Sequence, residues 1–86
     1  MLKVSRYRLI KEWRASKAER VRVVLNEVGS MLLVDVRRWF RDADGKLCPG
    51  RKGISIKASD TQPLRKALRA AEKEIGRWPT RPGASQ

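Results

Sequence analysis

Hydrophobic residues recur at every second position through much of this chain, then at every third or fourth position after residue 60. The first period is that of a β-strand with one face buried, the second that of an amphipathic helix. In residues 20–25, Val21, Val23 and Leu25 share one face and Arg20, Arg22 and Val24 the other. Residues 31–42 form the longest strand candidate. Leu32, Val34, Val36, Arg38 and Phe40 lie on one side of it, and Leu33, Asp35, Arg37, Trp39 and Arg41 on the other. Its first half reads as core and its second half as a working surface. Between these strands residues 26–30 supply a turn, with Gly29 available for positive φ.

Asp-Ala-Asp-Gly at residues 42–45 is a strong hairpin signal. Pro49-Gly50 interrupts the returning strand, because proline donates nothing to a ladder, and a bulge or bend is expected there. Arg51-Lys-Gly53 resumes the strand and Ile54-Ser-Ile56 completes the sheet. The bulge either protects a sheet edge or lets the backbone approach a ligand, with Arg51 and Lys52 pointing away from the core. Residues 7–14 fit a strand through Leu9, Lys11 and Trp13, or a helix through Ile10, Trp13 and Lys17. We read them as an extended first strand, with residues 15–19 as a connector.

Ser59-Asp-Thr-Gln62 resembles a capping box, and Pro63 suits a first helical turn. Leu64, Ala67, Leu68, Ala71 and Ile75 follow at helical spacing, and Gly76 fits the position just past the helix end. The stripe of Leu64, Leu68, Ala71 and Ile75 reads as core or as a dimer seam. The chain thus divides into a basic N-terminal arm or first strand (1–19), a single domain (20–76) and a flexible tail (77–86) in which Trp78 either docks on the body or stays free.

Composition sharpens this picture. With 86 residues the chain makes one small domain whose isolated core is marginal, so a partner subunit would help it. Twenty-one Lys and Arg against nine Asp and Glu leave a formal net charge of +12, which favours a polyanionic partner. The cations Arg37, Arg38, Arg41, Arg51 and Lys52 cluster around Trp39 and Phe40. Cations that hold phosphates beside aromatic faces that stack on bases make a platform for single-stranded nucleic acid.

Other chemistry is poorly supplied. Cys48 is the single cysteine, so no intrachain disulfide forms, and the chain has no histidine. A lone cysteine without histidine is a poor nucleophile and builds no zinc site, so we expect no metal, no cofactor, no small-molecule substrate and no catalysis. Asp35, Asp42, Asp44 and Asp60 would have to converge to hold Mg²⁺ in a nuclease. Asp42 and Asp44 read as turn formers, and Asp35 as the partner of a neighbouring Arg. No apolar run is long enough to span a membrane. A cytoplasmic location is expected, on the nucleoid if the source is bacterial.

Residues 33–56 resemble the transcriptional positive cofactor four family of single-stranded DNA-binding coactivators. The residues that carry the likeness are Val34-Asp-Val-Arg37, Trp39-Phe40, Asp42 to Gly45 and Pro49-Gly-Arg-Lys-Gly-Ile-Ser55, with a capped helix at the expected distance. The similarity extends over about residues 20–75, and its form is that of the compact bacterial and phage-related members. It implies an α+β fold, a four-stranded antiparallel β-sheet followed by one C-terminal amphipathic α-helix. It also implies a homodimer with the helices at the interface and single strands, or the strands of a melted duplex, held in paired grooves with little sequence preference. By matching position, Arg37 would be a groove cation, Phe40 the stacking aromatic, and Arg51 and Lys52 the basic pair lining the channel. The family's cations around the first hairpin are missing from Val28-Gly-Ser-Met31, and Arg20 and Arg22 are the candidates to replace them.

The expected nucleic-acid-binding residues are therefore Arg20, Arg22, Arg37, Trp39, Phe40, Arg51 and Lys52. The expected dimer interface is Leu64, Leu68, Ala71 and Ile75. Two other functions fit the same features: RNA binding as a chaperone, and a protein-interaction module that uses the helix.

Overall fold

The computed structural model describes residues 4–78; the rest of the expected tail and the first three residues lie outside the described residues. Four strands, β1 (Val4–Arg14), β2 (Glu19–Val28), β3 (Met31–Arg41) and β4 (Leu47–Lys57), form one antiparallel meander in the order β1-β2-β3-β4. A 3₁₀ turn over Ala58–Asp60 leads into the helix α1 (Thr61–Arg77). This is the expected architecture.

Several boundaries differ from the sequence reading. β1 is a strand throughout. Leu9 pairs with Val24 and Lys11 with Val23, so Ile10 is an extra residue with no partner. That bulge breaks the alternation, which is why the sequence pattern fitted both a strand and a helix. β2 runs on through Val28, where a five-residue turn was expected. Val28 pairs with Met31, and only Gly29 and Ser30 make the turn. Gly29 has φ 61° and Ser30 does not have positive φ, the pattern of a type II′ hairpin turn.

The second hairpin follows the Asp-Gly signal. The Asp42 carboxylate accepts from the backbone N–H groups of Asp44 and Lys46, both at 2.9 Å, and Gly45 takes φ 79°. On β4 the expected bulge is present. Arg37 pairs with Gly53 and Trp39 with Pro49, so Gly50, Arg51 and Lys52 together stand opposite Arg38. Pro49 is tolerated because β4 is an edge strand.

The capping box does not form. Asp60 occupies the N-cap without a side-chain hydrogen bond, and the Thr61 hydroxyl donates instead to the Ala58 carbonyl at 2.7 Å. Nor does Gly76 end the helix, which continues through Arg77. There the Glu74 carboxylate accepts from Arg77 and from the Trp78 indole, both at 3.2 Å, and holds the last turn. No helix among the described residues is long and apolar enough to cross a membrane.

The sheet is a single layer. Val24, 1% exposed, is its one fully buried hydrophobic residue among those described, and Asp35, 8% exposed, is the buried polar one. Every residue of α1 is exposed except Leu64, which is half-buried. Leu68 and Ile75 are 58% and 64% exposed. The apolar stripe of the helix is therefore formed but covered by nothing among the described residues.

Candidate nucleic-acid interface

Residues paired across antiparallel strands project from the same face of a sheet, so the register sorts the side chains. Four rows cross one face: Arg14, Arg20, Trp39, Pro49; Glu12, Arg22, Arg37, Gly53; Leu9, Val24, Asp35, Ser55; and Tyr7, Asn26, Leu33, Lys57. The opposite face carries Val21, Val23, Leu25, Val34, Val36, Ile54 and Ile56 at its centre. Arginines and Trp39 gather at one end of the first face, while the second has an aliphatic centre flanked by Arg8, Lys11, Trp13 and Arg38. Of the residues picked from sequence, Arg20, Arg22, Arg37 and Trp39 come together on the first face. Phe40 faces the second, beside Glu19 and Cys48.

Each of these cations has its own surroundings. Arg22 donates to Glu12 at 2.9 Å, and its guanidinium carbon lies 4.6 Å from the centre of the Trp39 ring. Arg20 approaches the same Glu12 at 3.6 Å. Trp39 is half-buried under Arg22, and its indole N–H has no acceptor among the described residues. What lies over the Trp39 ring is therefore the Arg22 guanidinium, whose side chain is itself 20% exposed.

Arg37 is tied down on three sides. Nε and Nη2 donate to the Asp35 carboxylate at 3.0 and 2.9 Å. Nη1 donates to the carbonyls of Gly50 and Arg51 at 3.1 and 3.3 Å. Ser55 adds a hydrogen bond to Asp35 at 2.8 Å. Burial pushes the Asp35 carboxyl up, but hydrogen bonds from Arg37 and Ser55, with the Arg37 charge, outweigh it and hold the group below its ordinary value. The same bond to Asp35 raises Arg37.

Gly53 makes this arrangement possible. A Cβ there would sit 2.7 Å from the Val36 carbonyl oxygen and 2.8 Å from the Arg37 Cα. Arg51 and Lys52, on the bulge, are exposed, and their side chains make no hydrogen bond or ion pair among the described residues.

The two hairpin ends that close one end of the sheet bring together cations that are far apart in sequence. Arg14, Lys17, Arg20 and Arg41 line an open cleft of about 300 Å³ with Phe40 in its wall. Phe40 is 41% exposed. Sequence reasoning grouped Arg41 with the cations around Trp39 and Phe40 but missed Arg14 and Lys17 as site residues. The signal that could have found them is the two consecutive antiparallel hairpins, which place residues 14–20 beside residues 40–47.

The four aspartates do not assemble. Asp35 is consumed by Arg37 and Ser55, Asp42 organises its turn, and among the described residues no three His, Cys, Asp or Glu side chains group as metal ligands. Burial pushes the Cys48 thiol up, and the neighbouring Asp42 carboxylate adds to the shift, away from a reactive thiolate.

Comparison with known proteins places this geometry. Residues 13–67 match the family described as Transcriptional Coactivator p15 (PC4). No curated protein matches. Among solved structures, the chain is similar to a PC4 homologue from Burkholderia pseudomallei, with 28% identity over 84% of this chain and 97% of that one and a TM-score of 0.72. It is also similar to the bacteriophage T5 homologue of the eukaryotic transcription coactivator PC4, implicated in recombination-dependent DNA replication. That match has 25% identity over 80% of this chain and 75% of that one, with a TM-score of 0.57. A third likeness, in fold alone, is to MoSub1 in a complex with single-stranded DNA, at 24% identity over 87% and 82% of the two chains and a TM-score of 0.56.

Proposed function

This chain belongs to the transcriptional coactivator p15 (PC4) family, and on that footing we propose that it is a homodimeric single-stranded DNA-binding protein without catalytic activity. The observation that carries the reading is the gathering of arginines and an aromatic at one end of one sheet face, next to the bulge. Arg20, Arg22, Arg37 and Trp39 share one face, and exposed Arg51 and Lys52 stand on the bulge at its edge. A face of this kind offers phosphate contacts and stacking groups at once, and neither reads base sequence.

The bare aliphatic face and the uncovered helix stripe support the second half of the proposal. A single-layer sheet does not sustain itself in water, and needs packing on its apolar side. A second copy supplies that cover, with Leu64, Leu68, Ala71 and Ile75 at the seam. Burying a residue of the size of Leu68 contributes about 1.5–3 kcal/mol. The DNA strand then follows the cationic face of each subunit, past Arg51 and Lys52, and reaches Phe40 at the end cleft.

The test is fluorescence anisotropy with a labelled single-stranded DNA oligomer across a salt series, competed by duplex DNA and by RNA. Preference for the DNA single strand, with an affinity that falls with salt as several phosphate contacts require, supports the reading. Equal binding to duplex, or complete loss at moderate salt, refutes it; preference for RNA reassigns the same surface to RNA.

A further inference from the structure

The bulge of β4 is the one place where the strand leaves its ladder, and a single side chain from the neighbouring strand holds it. Nη1 of Arg37 binds the carbonyls of Gly50 and Arg51, the two that the bulge turns away from regular pairing. The remaining face of the same guanidinium is occupied by Asp35, which Ser55 in turn orients from beyond the bulge. Arg37 therefore connects a buried carboxylate to the backbone from which Arg51 and Lys52 project. Its side chain is only 24% exposed and all three of its nitrogens are engaged. To bind a phosphate with its fork it would have to release either Asp35 or the bulge.

Resting on the single-stranded DNA-binding reading above, we propose that Arg37 is a positioning residue and not a phosphate contact. Clasped by Asp35 and Ser55, it sets the direction in which the bulge presents Arg51 and Lys52 to the DNA backbone. The planar fork is what the role requires, because a lysine ammonium cannot bind a carboxylate and two carbonyls in fixed directions at once. Gly53 belongs to the same device, since any side chain there would collide with Arg37.

The role makes two signatures that a direct contact does not. A phosphate contact contributes to the slope of log affinity against log salt, about 0.7 per contact on a single strand, and a positioning residue does not. A carboxylate in a DNA-binding face repels the ligand, so its neutralisation should strengthen binding unless the carboxylate holds something in place.

The experiment measures single-stranded DNA affinity across a salt series for the full-length wild type, Arg37→Lys, Arg37→Gln, Asp35→Asn and Ser55→Ala, with folding of each checked by circular dichroism. The positioning role predicts that Arg37→Lys and Arg37→Gln both bind about tenfold more weakly, as loss of a charged hydrogen-bond fork implies, with the wild-type slope retained. It predicts that Asp35→Asn also weakens binding, although the protein gains positive charge.

Ser55→Ala, on the exposed edge strand, disturbs the sheet least. It should weaken binding about threefold at constant slope, and it carries the test if the other variants fail to fold. Arg37→Lys binding as wild type while Arg37→Gln lowers the slope by about 0.7 would make Arg37 a phosphate contact and overturn the proposal. Stronger binding by Asp35→Asn, or unchanged affinity in a folded Ser55→Ala protein, overturns it as well. A wild type that ignores single-stranded DNA fails at the first control, which separates failure of the binding reading from failure of the clasp.

Discussion

The guanidinium of Arg22 lies over the ring of Trp39, 4.6 Å from its centre, while its Nε donates to Glu12 on the neighbouring strand. One cation thereby joins β1, β2 and β3 across the face that also carries Arg14, Arg20 and Arg37. It also covers the aromatic that the sequence alone would offer as an open stacking plate.

Replacing Arg22 with Ala should therefore cost stability as well as charge. A cation–π contact at a partly exposed site contributes about 0.5–1 kcal/mol, and loss of the Glu12 pair adds a few tenths. Thermal unfolding at fixed protein concentration should show a lower midpoint for Arg22→Ala than for Arg14→Ala, whose side chain has no such pair among the described residues. Equal midpoints would show that the stacked pair contributes nothing to the sheet.

Phe40 and the bulge cations should separate in a salt series. If Phe40 stacks on bases, Phe40→Ala should lose about 1–3 kcal/mol per base and leave the salt slope unchanged. Arg51→Gln with Lys52→Gln removes two charges, and the slope should fall by about 1.4. If Phe40→Ala changes the slope instead, its effect runs through the surrounding Arg14, Lys17 and Arg41 of the cleft.

Acid should weaken the fold through Asp35. Its carboxyl is held below the ordinary value in the folded state, burial being outweighed by Arg37 and Ser55. A group depressed by folding stabilises the folded state fully above its unfolded pKa, about 3.9, and that stability is lost as pH falls through the lower folded value. Unfolding by urea at pH 6, 4 and 3 should show wild type losing stability over this range, and Asp35→Asn losing less between pH 4 and 3. Parallel losses would assign the acid sensitivity to other carboxylates, of which Asp42 is also depressed, chiefly by the backbone N–H of Lys46.

Leu68→Asp places a charge in the exposed helix stripe. If the stripe is the dimer seam, light scattering should give the mass of one chain for the variant and of two for wild type, and wild-type unfolding should depend on protein concentration. An intact Leu68→Asp dimer would release this helix face for another protein.

Three glycines should respond in opposite directions to alanine. Gly53→Ala forces contacts of 2.7 and 2.8 Å against the backbone of β3 and should destabilise the sheet severely. Gly45→Ala meets no atom but sits at φ 79°, which costs about 1–2 kcal/mol. Gly76→Ala lies within α1 with nothing within 4 Å, and should stabilise the helix by up to about 1 kcal/mol. Urea midpoints of the three variants check the order.

Much of this protein is written locally in its sequence. Alternation over residues 20–25 and 31–42, the Asp-Gly turn, the proline that forces a bulge and the apolar helix stripe each depend on neighbours a few positions apart. They determined the elements, their order and the charge that calls for a polyanion. The exceptions are local signals with competitors. Ile10 breaks the period of β1 by bulging, Gly76 is carried into the helix by the Glu74 bonds to Arg77 and Trp78, and the capping box yields to a 3₁₀ turn. What only the tertiary structure decided is which side chains are already spoken for. Arg37 stands three residues from Phe40 in a basic run, yet register and bulge bring it against Asp35, Gly50 and Arg51. The same register lays Arg22 on Trp39, and the folding of two hairpins gathers Arg14, Lys17 and Arg41 around Phe40. Periodicity reports the face a residue takes, because that repeats every two positions. The partners it meets there depend on strand register and on a bulge across the sheet, which no stretch of chain contains by itself.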